Sequence, residues 1–185
     1  MNTSPLFFAA RSRIAELLPR LHLVQKADWS ADYLDQATGE RWIRYPLWDY
    51  HGPGPDCLRR GDPDLGEILE CIGSSHDDAE VAAAAFHLVN EHPARKENYA
   101  PLVDYLEGLV QGRPSVRQLR NAALAIIWSA ANQPFNSRDP SGKSIEQVDA
   151  DYRHFVEIAA RARAVKARAE EELGCSITQQ SVSFA

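Results

Sequence analysis

The stretch Arg44–Cys57, RYPLWDYHGPGPDC, decides how this chain is read. It holds four aromatic or imidazole rings around an Asp, two Gly-Pro pairs and a Cys, and it separates a strand-like beginning from a helix-rich remainder. A phosphate cradle needs successive free backbone N–H groups ahead of a helix, with a Lys or hydroxyl nearby. Pro53 and Pro55 remove two donors, and neither a Lys nor a hydroxyl residue follows them closely. Asp49, His51 and Cys57 are the right types for an acid–His–thiol device, yet their spacing matches no cysteine-hydrolase signature. Alternating Gly and Pro give a stiff, extended path. Residues 51–61 are therefore expected to form a rigid connector.

Working outward, Ile43, Tyr45 and Leu47 alternate with Arg44 and Pro46, and the turn-like QATGE (36–40) precedes them. This predicts a small β-hairpin within 23–50. Upstream, Phe7, Ala10, Ile14, Leu17 and Leu18 recur at helical spacing, predicting a helix over 5–18 that Pro19 ends. Downstream, residues 62–173 read as a helical body. Asp62 with Pro63 opens one helix and Ser75 or Asp77 the next, whose apolar stripe is Val81, Ala84, Ala85, Leu88 and Val89 before Pro93. A third helix starts near Asn98 and ends at Gly112. A fourth carries Val116, Leu119, Ala123, Ile126, Ile127 and Ala130. After a loop, Ser144 opens a long helix with Ile145, Val148, Tyr152 and Phe155, stopped at Gly174. Residues 174–185 form a tail. The expected fold class is mainly α, a single domain over 1–185 of layered antiparallel helix pairs, HEAT-like or an irregular bundle, with a small N-terminal β-hairpin.

The helix pairs carry a resemblance. DDAEVAAAAFHLV and GRPSVRQLRNAALAII both open with a capped start, place a Val early and continue with small residues; Val81 and Val116 lie 35 positions apart. This resembles the second helix of HEAT-like repeats, whose Val-Arg pair near the helix start is matched by Val116-Arg117 and not by Val81-Ala82.

Composition narrows the function. Of 185 residues 44% are hydrophobic and 25% charged, ordinary for a globular chain, and no apolar run approaches the length that spans a bilayer. MNTSPLFFAARSR lacks a basic n-region, so no secretory signal is read there. Cys57, Cys71 and Cys175 are odd in number and lack CxxC spacing, which fits reduced cytoplasmic thiols. Metal binding draws no support: His87 and His92 are five apart, and Asp151 with His154 makes only one loose pair. Rossmann, Walker and nucleophile-elbow motifs are absent. Neither a cofactor nor a metal is expected.

Charge is unevenly placed. The net −6 is concentrated in Asp49–Glu80, with nine acids against two bases, while the remainder has 17 acids and 18 bases. Such a field repels nucleic acid and attracts a basic protein. Two basic stripes, Arg113/Arg117/Arg120 and Arg161/Arg163/Lys166/Arg168, stand available to pair with the chain's own acids. Trp42, Tyr45, Trp48 and Tyr50 stand at the start of the acidic stretch, and Trp and Tyr are enriched at interfaces. The expected partner-binding residues are Trp48, Asp49, Tyr50, Asp56, Asp62, Asp64, Asp77, Asp78 and Glu80, facing a basic protein partner, with no nucleic acid and no membrane. In general character, through TGERWIRY, HGPGPDCLRR and DDAEVAAAAFHLV, the chain resembles bacterial immunity proteins of polymorphic toxins. That resemblance implies a cytoplasmic, non-enzymatic protein that sequesters a toxin domain. The alternatives are a helical-repeat adaptor holding a peptide, or an enzyme using His51 or His154 with nearby carboxylates.

Overall fold

Phe7 and Phe8 adjoin in sequence and face opposite ways, which sets the plan of the molecule. The structure, a computed structural model, describes residues 5–49, 52–90, 96–133 and 142–185. The two phenylalanines form strand β1 (Phe7–Phe8), which pairs antiparallel with β5 (Gly52–Arg60) through Phe7↔Arg59 and Phe8↔Leu58. Phe7 and Cys57 enter the large core on one face of the sheet. Phe8 and Leu58 enter a smaller core on the other, as the two-residue period of a strand requires. Between these strands run α1 (Arg11–Leu17), a 3₁₀ turn (Leu18–Arg20), β2 (Leu21–Lys26), β3 (Ala31–Asp35) and β4 (Arg41–Asp49). The strand order is β1-β5-β4-β3-β2, antiparallel throughout. Helix α1 and the 3₁₀ turn after it close the smaller core by packing Ile14, Leu17 and Leu18 near Leu21, Tyr33, Trp42 and Leu58.

The fold is α+β, a correction to the expectation of a mainly α or all-α chain with a small hairpin. The expected connector over 51–61 is largely strand β5. Its register against β4 slips between Pro46↔Asp56 and Trp48↔Pro53, so Gly54 and Pro55 together oppose Leu47. A bulge is where a strand tolerates Pro. Gly54 is needed there because a Cβ would lie 2.5 Å from the Leu47 carbonyl oxygen. The residues that argued against a strand are those that shape this one. Likewise the helix expected over 5–18 begins only at Arg11, because the sheet takes Phe7 and Phe8.

The second layer is α2 (Leu65–Ser74), α3 (Asp78–Asn90), α4 (Tyr99–Gln111), α5 (Val116–Trp128) and α6 (Ile145–Leu173). Helix α5 is central and packs on α2, α3, α4 and α6. Val81–Ala85 of α3 and Ala122–Ile126 of α5 are wholly buried, so these helices are apolar all round over that span rather than one-sided. Their alanines let the axes approach closely. Val116, Ile145 and Tyr152, expected in apolar stripes, are exposed instead; the first two lie at helix starts.

Helix caps follow side-chain chemistry. Asp64, rather than Asp62, caps α2 in a reciprocal box with Glu67, and Ser115 and Ser144 do the same with Gln118 and Gln147. Helix α6 ends on Gly174 in the left-handed region. Helix α5 ends in the same two-bond motif, with Ala130 N–H on the Ile127 carbonyl and Ala131 N–H on that of Ile126, but with Ala130 at φ 54°. The C-terminal tail packs: Ile177 and Val182 are buried, and Phe184 meets Trp128 edge-on at 5.3 Å. Among the described residues no helix is long and apolar enough to cross a membrane.

Two substitutions test this reading. Ala130→Gly relieves a left-handed L-residue and should raise unfolding stability by about 0.5–1 kcal/mol in urea titration. Gly54→Ala forces a Cβ against backbone and should lower it by about 1–3 kcal/mol.

Candidate functional site

The acidic stretch is largely occupied from within. Asp56 accepts from Arg44 Nε at 3.2 Å and from its Nη2. Asp62 is exposed but pairs with Arg59 at 2.8 Å and Arg41 at 3.6 Å, and the hydrogen bond from Arg59 holds its carboxyl below the usual range. Asp64 is consumed by the α2 cap. Asp77 caps the start of α3, its Oδ1 accepting from the N–H groups of Ala79 (2.8 Å) and Glu80 (3.4 Å). Trp48 and Asp49 stand at the end of β4, and Tyr50, with His51, lies outside the described residues.

Asp78 bridges two helices. Arg117 Nη1 donates to its Oδ1 at 2.7 Å, and Arg120 donates to Oδ2 through Nε at 2.8 Å and through Nη2. Partial burial alone would raise this carboxyl; the Arg120 hydrogen bond and both guanidinium charges outweigh that and hold it low. Arg117 Nε and Asn121 Nδ2 also donate to the Ser75 carbonyl, at 2.8 and 2.9 Å. Two arginines of the first basic stripe are thus bound to the protein's own acid. In the second stripe Arg161 pairs with Asp104 and Glu107, Lys166 with Glu170, and Arg168 with Glu172.

Glu80 is buried. One oxygen accepts from the N–H groups of Leu6 (2.9 Å) and Phe7 (3.4 Å), and the other from the Ser75 hydroxyl at 2.6 Å. It ties α3 to β1, so this edge of the sheet is short and covered. Of the chemistry-bearing residues, Cys57 is buried in the core and burial pushes the Cys71 thiol up, with Glu80 adding to the effect. His87 is buried with Nδ1 3.2 Å from the Tyr45 hydroxyl; Asp151 holds Lys143 at 2.8 Å; His154 stacks edge-on with Phe155. His92 lies outside the described residues. Among the described residues, three His, Cys, Asp or Glu side chains do not converge as a metal site requires.

The opposite edge of the sheet is different. Among the described residues, strand β2 is last in the order and pairs only with β3. Every residue from His22 to Lys26 is exposed, including Leu23 at 47% and Val24 at 62%; Trp29, in the following turn, is 61% exposed. Val24 is the extra residue of a bulge, between Leu23↔Tyr33 and Gln25↔Asp32. Leu34, paired with His22, adds a further exposed apolar side chain from β3. An edge strand presents unpaired backbone groups to any extended segment laid beside it. The sequence gives little sign of this surface, because LHLVQK between Pro19 and Trp29 has no clean alternation. Comparison with protein-family models, curated proteins and solved structures finds no match to this chain.

The Asp78 bridge makes a pH prediction. A carboxyl held below its unfolded value, about 3.9, stabilises the fold above that value, and the contribution is lost as pH falls through the folded value. Asp78→Asn should therefore cost about 1–3 kcal/mol at pH 7, and the gap from wild type should shrink towards pH 2–3 in urea titrations. A gap that stays constant with pH would contradict the bridge.

Proposed function

We propose that this protein is a protein-binding module that takes an extended segment of its partner along the free edge of β2. The observation that carries the reading is the contrast between the two edges. Glu80 and α3 cover β1, whereas β2 exposes Leu23 and Val24 beside an unpaired backbone. Main-chain pairing supplies affinity in such an arrangement, and alternate side chains supply selectivity. Leu23 lies on the face that α1 covers further in, next to Tyr33, so a docked strand would extend the smaller core outward.

The immunity-type reading is the narrower form of the same proposal. Its support is the net charge, −6 over the whole chain. Because most acids of the 49–80 stretch are already bonded at short range, they would act at long range, steering a basic toxin domain into contact.

A photo-crosslinking amino acid placed at Val24 tests the module reading in a lysate of the producing organism. The expected result is one dominant adduct at Val24 that is absent when the same group replaces Val116, itself 73% exposed on α5. The adduct should disappear in a Leu23→Lys variant. Equal labelling at both positions, or labelling indifferent to Leu23→Lys, would remove β2 as the contact.

A further inference from the structure

We infer that the groove between α1, the bulge of β5 and the C-terminal tail binds a small zwitterion with an apolar body, a free aliphatic amino acid. The groove is separate from the edge of β2, and among the described residues none that lines it belongs to that strand.

Its volume is about 510 Å³, within the range of small-molecule sites. It forms where α1 stops covering the sheet. Trp42 and Leu58 lie with Ile14 in the smaller core. Two positions further along the same strands, on the same face, come Arg44 and Asp56. These side chains are 37% and 43% exposed, so the helix leaves them within reach of a ligand. The register slip beyond them brings Gly54 and Pro55 into the wall, as a bulge does when it turns a strand aside. Ile14, Ala15 and Leu18 supply the helix-side wall. Phe184 completes the lining, its carbonyl accepting from the Arg11 N–H at 2.9 Å.

The charged side chains of the groove are Arg11, Arg44 and Asp56. Arg44 gives both Nε and Nη2 to one oxygen of Asp56, Oδ2. Among the described residues, Arg44 Nη1 and Asp56 Oδ1 have no hydrogen-bond partner. A donor and an acceptor of opposite charge thus stand side by side, near an apolar wall. A purely apolar ligand would strip water from both groups and replace none of it. A monocarboxylate would set its charge beside Asp56, and a monoamine beside two guanidiniums. An amino acid suits both signs. Its carboxylate accepts from Arg44, with Arg11 as a second cation, and its ammonium donates to Asp56 Oδ1. Its side chain then lies against Ile14 and Leu18.

Two other concave surfaces lack this combination. Around Ser75 and Asp78 most polar side chains are already bonded to one another or to a helix start. Between Arg41 and Glu67 the lining is mostly charged.

The test titrates the full, isotope-labelled chain with leucine and with four relatives that each lack one part. Isocaproate lacks the ammonium, isoamylamine the carboxylate, N-acetylleucinamide both charges, and glycine the apolar body. The amide resonances of Ala15, Gly54 and Asp56 report the groove. Leucine should move them saturably and bind about tenfold tighter than each relative, the cost of one charge-assisted bond or of the lost side-chain burial. Asp56→Asn should erase the advantage of leucine over isocaproate. Ala15→Trp, at an exposed position of α1, should fill the groove and abolish the shifts. Any relative that binds as tightly as leucine overturns the zwitterion. Resonances unmoved by all five compounds, or leucine binding that survives Ala15→Trp, overturn the site, and either result leaves the β2-edge reading standing.

Discussion

Glu80 leaves the first turn of α3 with both carboxylate oxygens engaged, one on the backbone of Leu6 and Phe7, the other on the Ser75 hydroxyl. A carboxylate that is only 9% exposed is tolerated when hydrogen bonds replace its lost water, and these three donors do so. The consequence is architectural. β1 is held against α3, β1 carries β5, and through β5 the sheet is mounted on the helical layer with Phe7 and Cys57 facing inward. Ser75 extends the link, since its carbonyl receives Arg117 and Asn121 of the central helix α5. One end of the sheet is thus fixed and covered, and the strand farthest from it, β2, is left at the free edge.

Electrostatics follows the same division. Where the two helices α3 and α5 meet, Asp78 is bound to Arg117 and Arg120; where α4 meets α6, Arg161 is bound to Asp104 and Glu107. Acids and bases that look like surface patches in the sequence are cross-links between elements. Among the described residues, the cations left without an ion pair are spread over α1, β2 and the helical layer, where Arg153 and Arg163 are exposed. Counting charges along the chain locates an acidic stretch but does not say which of its acids are paired, because pairing is set by tertiary proximity.

The helices were legible in their bounds: Asn98 and Ser144 at two starts and Gly112 and Gly174 at two ends are where the sequence placed them. The β3–β4 hairpin was legible from its alternation and the QATGE turn, in which Asp35 Oδ1 accepts from Ala37 N–H at 2.8 Å. The remaining strands were not. β1 is two residues long and hides in a helical stripe. β5 contains Gly54 and Pro55, which count against a strand until the bulge opposite Leu47 is known. β2 is an edge strand exposed at every position after Leu21, so it lacks the burial alternation that marks a strand in sequence. The exposed edge of the sheet was missed for that same reason.

Residue-resolved amide hydrogen exchange on the free protein tests the edge contrast most directly. The amides of Leu6 and Phe7, bonded to Glu80, should be strongly protected. Those β2 amides that point away from β3, between Leu21 and Lys26, should exchange near the rate of an unstructured chain, while their neighbours that point towards β3 are slowed. Uniform protection along β2, matching that of Phe7, would mean that this edge is already occupied, and the protein would then not be waiting for a strand from a partner.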